Sequence, residues 1–152
     1  MARWVGIDYG SKRIGVAVSD AAGRTASAVA TVRAEQSHAA NAAAVLAVAA
    51  EYAPTGFVVG LPLNMDGTDS PQTRYSRRFA KVLEDAAGPD QARRDVVLFD
   101  ERLSSFQADA LMEEAGVPRG RRGDLRDSFA ALAILRAFLD SRPVGEASEA
   151  QS

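Results

Sequence analysis

The pattern of apolar and polar positions predicts three short strands at the start of the chain. They cover Trp4 to Tyr9, Ile14 to Ser19 and Thr25 to Val32. The segments between them, Gly10 to Arg13 and Asp20 to Gly23, are rich in Gly, Ser, Lys and Asp, which favour turns. Three strands in immediate succession predict an antiparallel meander.

Helices and strands then alternate along the middle of the chain. The predicted segments are a helix over His38 to Tyr52, a strand over Gly56 to Leu61, a helix over Pro71 to Ala87 and a strand over Asp95 to Phe99. This alternation is typical of β/α units. We therefore expect an α/β fold in which helices flank a mixed, five-stranded sheet.

Two further helices are predicted near the end of the chain. Ser104 and Gln107 form a capping-box pair that starts the first, and Gly116 followed by Pro118 ends it. The second is expected to run from about Leu125 to Asp140.

The length of 152 residues fits one domain, which we place at residues 1–142. The polar tail at 143–152 is expected to be disordered. No apolar run approaches the roughly 20 residues of a membrane helix, and the first residues lead into a strand rather than a signal peptide. We expect a soluble cytoplasmic protein with no membrane partner.

The composition restricts the possible chemistry. The chain has no Cys and one His, His38, which excludes disulfides, thiolate or multi-histidine zinc sites and iron–sulfur clusters. His38 lies in an Ala-rich helical run, and we interpret it as a helix-surface residue without a functional role. Any active site must therefore use carboxylates, hydroxyls, Lys or Arg.

The net charge of −2 argues against a protein that binds nucleic acid through its overall charge, so any such affinity must be local. Arg, which binds phosphate in bidentate fashion, accounts for all but two of the 18 basic residues. One basic stripe follows the helix after Pro71, and a second cluster surrounds Gly120 and Gly123. A solvated helix face explains the first stripe better than phosphate contact does, whereas a solvated loop and phosphate contact explain the second cluster equally well.

Asp8 is the most unusual residue of the chain, since it lies within the apolar first strand beside Ile7. Asp is rare in strands, and a buried carboxylate needs a cation or a set of donors to offset its desolvation. We interpret Asp8 as a metal ligand.

Other carboxylates lie where they could join Asp8. Asp100 and Glu101 follow an apolar strand, and strand alternation sends their side chains to opposite faces, so only one can reach Asp8. Asp124 and Asp127 lie at the start of the last helix. An N-cap role explains Asp124 fully, whereas Asp127 could also point into a cleft as a ligand.

A set of carboxylates without thiol or imidazole prefers Mg²⁺ or Mn²⁺ over zinc or copper. Two such ions about 3.5 to 4 Å apart can activate water and stabilise the leaving oxygen at phosphorus. Hydrolysis of a phosphodiester is the chemistry that fits these residues best.

Four motifs resemble the YqgF/RuvX family, and together the match covers about Arg3 to Asp140. They are Val5 to Asp20 (VGIDYGSKRIGVAVSD), Val59 to Thr68 (VGLPLNMDGT), Asp100 to Ser105 (DERLSS) and Asp127 to Ala131 (DSFAA).

The resemblance implies a ribonuclease H-like fold related to Holliday-junction resolvases. It also implies a catalytic, metal-binding carboxylate on the first strand, a Glu after a later strand and an Asp opening the last helix, which correspond to Asp8, Glu101 and Asp127. Members are regarded as nucleases that process the 5′ end of pre-16S rRNA in ribosome biogenesis, with a competing assignment as junction resolvases. Nucleic acid is thus the expected partner, pre-rRNA before branched DNA, for a monomer or a homodimer.

Given such a substrate, we expect nine basic residues to contact its phosphates. They are Lys12, Arg13, Arg74, Arg77, Arg78, Arg102, Arg121, Arg122 and Arg126.

The sequence departs from the expected pattern before the last acid, where Asp124 is either an extra ligand or the N-cap, and we favour the cap. The loop around Asp66 suits a turn and substrate contact equally, and we leave it outside the catalytic set.

Three hypotheses of different classes follow. The first is the metal-dependent nuclease. The second is an actin-like or Hsp70-like ATPase, because Gly6 to Gly10 resembles their phosphate-binding hairpin; the chain has room for one lobe, and has no Walker sequence or Gly-x-Gly-x-x-Gly motif. The third is an RNA-binding ribosome-assembly factor without catalytic activity.

Overall fold

The structure is a computed structural model that describes residues 3–88 and 95–142. The tail predicted to be disordered, 143–152, lies outside the described residues.

A mixed sheet of five strands forms the centre of the protein. The strands are β1 (Trp4–Tyr9), β2 (Arg13–Ser19), β3 (Ala26–Arg33), β4 (Gly56–Leu61) and β5 (Asp95–Asp100). Their order in the sheet is β3-β2-β1-β4-β5, with β1, β2 and β3 antiparallel to one another and β4 parallel to both β1 and β5. The predicted meander and mixed sheet are confirmed.

Helices cover both faces of this sheet. They are α1 (His38–Ala49), α2 (Pro71–Ala87), α3 (Ala108–Glu114) and α4 (Arg122–Ser141), and single 3₁₀ turns follow at Ala50–Tyr52, Glu101–Leu103 and Arg119–Arg121. One apolar core lies between the sheet and helices α1 and α2, and a second lies under α3 and α4. Helix α4 packs against β1, β2, β3 and β4.

Strand alternation in β1 decides which residues face each core. Val5, Ile7 and Tyr9 are buried in the core under α1 and α2, whereas Trp4 belongs to the core under α4. Because side chains alternate along a strand, Asp8 points to the same face as Trp4. The acid therefore lies on the side of the sheet that α4 covers.

Two predicted helix caps are wrong. The Ser104 hydroxyl donates to the carbonyl of Ala133 in α4 instead of capping α3, whose N-cap residue Gln107 makes no side-chain cap bond. Helix α4 begins at Arg122, directly after a 3₁₀ turn, so Asp124 lies in its first turn and is not the N-cap. In both cases tertiary packing or a preceding turn sets the start of the helix.

A capping box does occur at α2, where Ser70 and Thr73 bond reciprocally and Pro71 takes the first helical position. Among the described helices, no segment has the length and apolar character needed to cross a membrane.

Candidate active site

Asp8 lies one residue before the end of β1 and is half-buried on the α4 face. Its neighbour in the register of β2 is Gly15, and on the other side Gly60 of β4 follows the Ile7–Val59 pair. Glycine therefore flanks Asp8 on both neighbouring strands, which leaves room above the sheet on either side of the carboxylate.

Helix α4 uses the space above Gly15. A Cβ atom at Gly15 would overlap the carbonyl oxygen of Asp127, so the helix backbone lies directly on β2. This close approach brings Asp127, in the second turn of α4, beside Asp8.

Glu101 uses the space above Gly60. A Cβ atom at Gly60 would lie 2.9 Å from Oε2 of Glu101. Glu101 is the first residue of the 3₁₀ turn after β5, so the sheet and this turn together position it beside Asp8. Carboxylates from the end of β5 and from α4 thus flank Asp8 of β1, close enough for the charge of Asp127 to act on Asp8 and that of Asp8 to act on Glu101.

Asp100 points to the opposite face from Glu101, as the strand alternation predicts. Its carboxylate receives a forked interaction from Arg102, with Nη2 to Oδ2 at 2.7 Å and Nε to Oδ1 at 3.0 Å. Arg102 holds the pKa of Asp100 below its ordinary value. The acid that joins Asp8 is therefore Glu101.

The electrostatics around Asp8 and Glu101 are unfavourable for two anions. Burial, and to a lesser extent the charge of Asp127, raises the pKa of Asp8 to about 6. Burial and then the charges of Asp8 and Asp100 raise the pKa of Glu101 to about 7. Within residues 3–88 and 95–142, no hydrogen-bond donor reaches either carboxylate.

Arg13 neutralises the third acid. Its Nε lies 2.8 Å from Oδ2 of Asp127, and the Arg13 side chain is largely exposed while that of Asp127 is three-quarters covered. In the part of the chain that the structure describes, no group of three His, Cys, Asp or Glu side chains is arranged closely enough to hold a metal ion without movement. The oxygen donors suit a hard divalent ion in kind, and Asp8 and Glu101 lack another partner, so the residues fit Mg²⁺ or Mn²⁺ once Arg13 releases Asp127.

The expected phosphate-binding residues fall into two groups. Five of the side chains form ion pairs: Arg13 with Asp127, Arg77 with Asp69, Arg102 with Asp100, Arg122 with Glu113 and Arg126 with Asp109. The other four are exposed and have no carboxylate oxygen within 4 Å among the described residues: Lys12, Arg74, Arg78 and Arg121.

The loop around Asp66 is held together internally. The Asp66 carboxylate accepts bonds from the backbone N–H and hydroxyl of Thr68, at 3.0 and 2.6 Å. Gly67 adopts the left-handed φ of +88° that the turn requires, and Arg102 donates to the carbonyl of Met65 at 3.1 Å. These contacts give Asp66 a turn-forming role.

His38 is not the plain surface residue that the sequence analysis expects. Its Nδ1 lies 2.6 Å from the hydroxyl of buried Tyr9, whose ring stacks on Phe79. Buried Asn41 donates to the same hydroxyl at 2.8 Å. This network fixes the end of β1 directly after Asp8, and the polar Asn41 in an Ala-rich helix was the available signal.

Gly15 and Gly60 are the functional positions that sequence reasoning missed. Each interrupts an apolar strand, and a glycine within a strand often marks the close approach of another backbone. That signal was available, although it does not tell which element approaches.

The fold resembles a solved structure of a DNA-processing protein. "T. thermophilus RuvC in complex with Holliday junction substrate" superposes with a TM-score of 0.54 and 20% sequence identity, over 89% of this chain and 91% of that one. At this identity the likeness concerns the fold, and it confirms the predicted ribonuclease H-like architecture.

Sequence relatives are closer. Proteins named "Putative pre-16S rRNA nuclease" include those of Anaeromyxobacter dehalogenans strain 2CP-C, 48% identical over 92% of this chain and 98% of its own, and Myxococcus xanthus strain DK1622, 45% identical over 91% and 88%. A third, from Geobacillus sp. strain WCH70, is 38% identical over 92% and 99%. A family model described as "RuvX: Holliday junction resolvase" matches residues 2–141, and with this coverage the chain belongs to the RuvX family.

Proposed function

We propose that this protein is a nuclease that depends on a divalent metal and hydrolyses phosphodiester bonds in the precursor of 16S rRNA. The observation that carries the proposal is the approach of Glu101 and of Asp127 to Asp8 from two other elements, with Asp8 and Glu101 lacking any donor in the described chain. A protein does not keep such acids close together without a compensating cation or a catalytic use.

In this proposal the three carboxylates hold Mg²⁺ or Mn²⁺. The ion supplies Lewis-acid activation of the phosphodiester and of the attacking water. Because the pKa values of Asp8 and Glu101 are raised to about 6 and about 7, Glu101 of the metal-free site is partly protonated near neutral pH and Asp8 becomes so at slightly lower pH. These protons must leave when a cation binds.

Arg13 has two roles in the same scheme. Before a cation binds, it neutralises Asp127, at 2.8 Å. Since its guanidinium is exposed, it can move to a phosphate oxygen of the substrate, and Arg forms bidentate contacts with phosphate. The exposed Lys12, Arg74, Arg78 and Arg121, which have no carboxylate oxygen within 4 Å among the described residues, supply further phosphate contacts.

The names of the relatives support pre-16S rRNA as the substrate, since several that cover most of this chain are named for it. Such a role places the protein in ribosome biogenesis and in the cytoplasm. A monomer suffices for cutting one strand.

A Holliday-junction resolvase is the second candidate, and the description of the family model and the fold shared with RuvC favour it. Symmetric cuts in a four-way junction require a two-fold dimer. The third candidate, an assembly factor without turnover, is favoured by the Arg13–Asp127 ion pair, which holds one of the three acids in the metal-free site.

One clean preparation, assayed with Mn²⁺ or Mg²⁺, separates these possibilities. The substrates are a pre-16S rRNA fragment, a linear duplex and a four-way junction, and sedimentation measures the oligomeric state in parallel. We expect metal-dependent cleavage of the rRNA fragment, lost in Asp8→Asn and Glu101→Gln.

Asp127→Asn has a matched control in Asp124→Asn, because both acids lie in the first turns of α4 and Asp124 is exposed. Asp127→Asn should lose cleavage and Asp124→Asn should keep it. Cleavage of the junction alone, by a dimer, would favour the resolvase, and failure on all three substrates would favour the assembly factor.

A further inference from the structure

A cleft of about 520 Å³ lies at the open end of the β2–β3 hairpin, where Arg13, the ion-pair partner of Asp127, is part of its lining. Its lining residues are Ser11, Lys12, Arg13, Thr31, Arg33 and Ala34. Arg33 has no role in the sequence analysis or in the catalytic scheme above. Three of the lining side chains are basic and none is acidic.

The register of the sheet places Arg13 of β2 directly opposite Arg33 of β3. Residues paired in this way point to the same face with Cβ atoms about 5 Å apart, where like charges destabilise the sheet. Asp127 balances Arg13, but neither Arg33 nor Lys12 has a carboxylate oxygen within 4 Å among the described residues. The cleft therefore carries positive charge that the protein itself leaves uncompensated.

The same register connects the cleft to the acids. Asp8 pairs with Gly15, and Gly15 pairs with Thr31, so one row of residues crosses the sheet from the catalytic strand to the cleft. Two strand spacings separate Asp8 from Thr31, which is about 10 Å. Arg13 both lines the cleft and donates to Asp127. Helix α4 lies over Gly15 in the middle of this row, so the direct link between the cleft and the acids is Arg13. An anion in the cleft would thus lie on the same face of the sheet as the acids, beside the arginine that pairs with Asp127.

A second cleft, of about 280 Å³, shows that this charge pattern is not general. It lies at the opposite end of β3, and its two arginines, Arg24 and Arg136, face two acids, Glu114 and Asp140. Arg136 lies 3.8 Å from Glu114. Its charges balance, so it has no comparable demand for an anion.

We infer that the cleft between Lys12 and Arg33 binds a backbone phosphate of the nucleic-acid strand, on the same face of the sheet as the three acids and linked to them through Arg13. Lys12 and Arg33 neutralise its charge, and the hydroxyls of Ser11 and Thr31 are available as donors to its oxygens. The site guides one strand across the β2–β3 edge as it leaves the catalytic carboxylates. This inference rests on the proposed function and names how that function holds its substrate.

The test measures binding without cleavage. Fluorescence anisotropy in EDTA follows a labelled single-stranded RNA on wild type, Arg33→Gln and Arg24→Gln, at several salt concentrations. Arg24 is the matched control because it is also exposed and lies near the other end of β3. Each lost phosphate contact lowers the slope of log affinity against log salt by about 0.7 to 0.9.

We expect Arg33→Gln to weaken binding several-fold and to lower that slope by about one, and Lys12→Gln with Arg33→Gln to lower it by about two. Arg33→Lys should restore most of the affinity, since the charge returns, and Arg24→Gln should match wild type. Arg33→Gln should melt no lower than wild type, because it removes the repulsion with Arg13.

Equal affinities and slopes for Arg33→Gln and Arg24→Gln would overturn the inference. The inference would also be overturned if calorimetry showed that Arg33→Gln loses affinity for inorganic phosphate but keeps its affinity for RNA. The cleft would then bind a free anion rather than a backbone phosphate. The binding assay needs no turnover, so a wild type that binds but never cleaves would count against the proposed function alone.

Discussion

Replacing Asp8 by Asn removes a charge that burial disfavours in the metal-free site. Asn has nearly the same shape as Asp, and no donor in the described chain contacts the Asp8 carboxylate, so the exchange breaks no hydrogen bond there. We expect Asp8→Asn to lose hydrolysis and, at the same time, to fold more stably than wild type in the absence of metal.

The size of the effect follows from the pKa of Asp8, which rises from its ordinary value of 3.8 to about 6. The native state therefore binds this proton more tightly than the unfolded state does. The stability linked to this proton is fully present below pH 3.8 and is lost as the pH rises through about 6. A difference of roughly two pKa units corresponds to about 3 kcal/mol, which is an upper figure for the gain in Asp8→Asn at pH 8.

Chemical and thermal unfolding in EDTA, from pH 3.5 to pH 8, measures this difference. A domain of this size gains about 2 to 4 °C in Tm per kcal/mol, so Asp8→Asn should melt up to about 10 °C above wild type at pH 8 and level with it at pH 3.5. Asp124→Asn is the control: it removes a first-turn carboxylate that the helix dipole favours by about 0.3 to 1 kcal/mol, so it should not gain stability at pH 8.

Addition of Mn²⁺ should then reverse the order. Metal that binds only the native state stabilises it by about 2.7 kcal/mol at a hundredfold excess over Kd, and Asp8→Asn should lose most of this gain. If Asp8→Asn is no more stable than wild type at pH 8 in EDTA, burial does not penalise the Asp8 anion and the electrostatic reasoning fails.

Three further outcomes follow from the same site. Mn²⁺ affinity, measured by calorimetry, should rise up to about tenfold per pH unit between about pH 6 and 7, where a proton must leave Glu101, and more steeply below about pH 6, where Asp8 must lose one as well. The affinity should level off above about pH 7, and a flat profile would contradict the raised pKa values. Gly15→Ala should lower the free energy of unfolding in urea by about 3 kcal/mol, because its Cβ would overlap the carbonyl of Asp127. Gly123→Ala, whose Cβ meets nothing within 4 Å, should be neutral or slightly stabilising. Equal effects of the two substitutions would refute the close approach of α4 to Gly15. Arg13→Gln should change stability by less than about 1 kcal/mol, because the ion pair is exposed, and should tighten Mn²⁺ binding by freeing Asp127; weaker metal binding would instead make Arg13 part of the metal-binding arrangement.

Much of the site was predictable because strand alternation is a local property. The run before Asp100 is long enough to set the period, so the opposite directions of Asp100 and Glu101 follow without knowledge of the fold. The anomaly of Asp8 is local in the same way, since it depends on the apolar residues beside it. The grouping of Asp8, Glu101 and Asp127 needed the resemblance to the YqgF/RuvX family, because local sequence patterns do not show whether acids far apart in sequence lie close together in the fold.

Contacts between distant elements decided what the sequence could not. Ser104 looked like a helix cap, yet its hydroxyl bonds to Ala133, 29 residues away. Arg13 looked like a free phosphate ligand, yet it pairs with Asp127, 114 residues away. In both cases the local pattern does not show the partner, because the partner lies on a distant segment of the chain that folding brings close.

The sequence by itself determined the order of strands and helices, the acidic position in the first strand and the absence of thiol chemistry, because these depend on residue type and short-range periodicity. Only the tertiary structure decided that Gly15 and Gly60 admit the second and third acids beside Asp8, and that Arg13 faces Arg33 across two strands. Those relations depend on the register of the sheet and on the position at which α4 packs against it, and both are set by the packing of the whole domain.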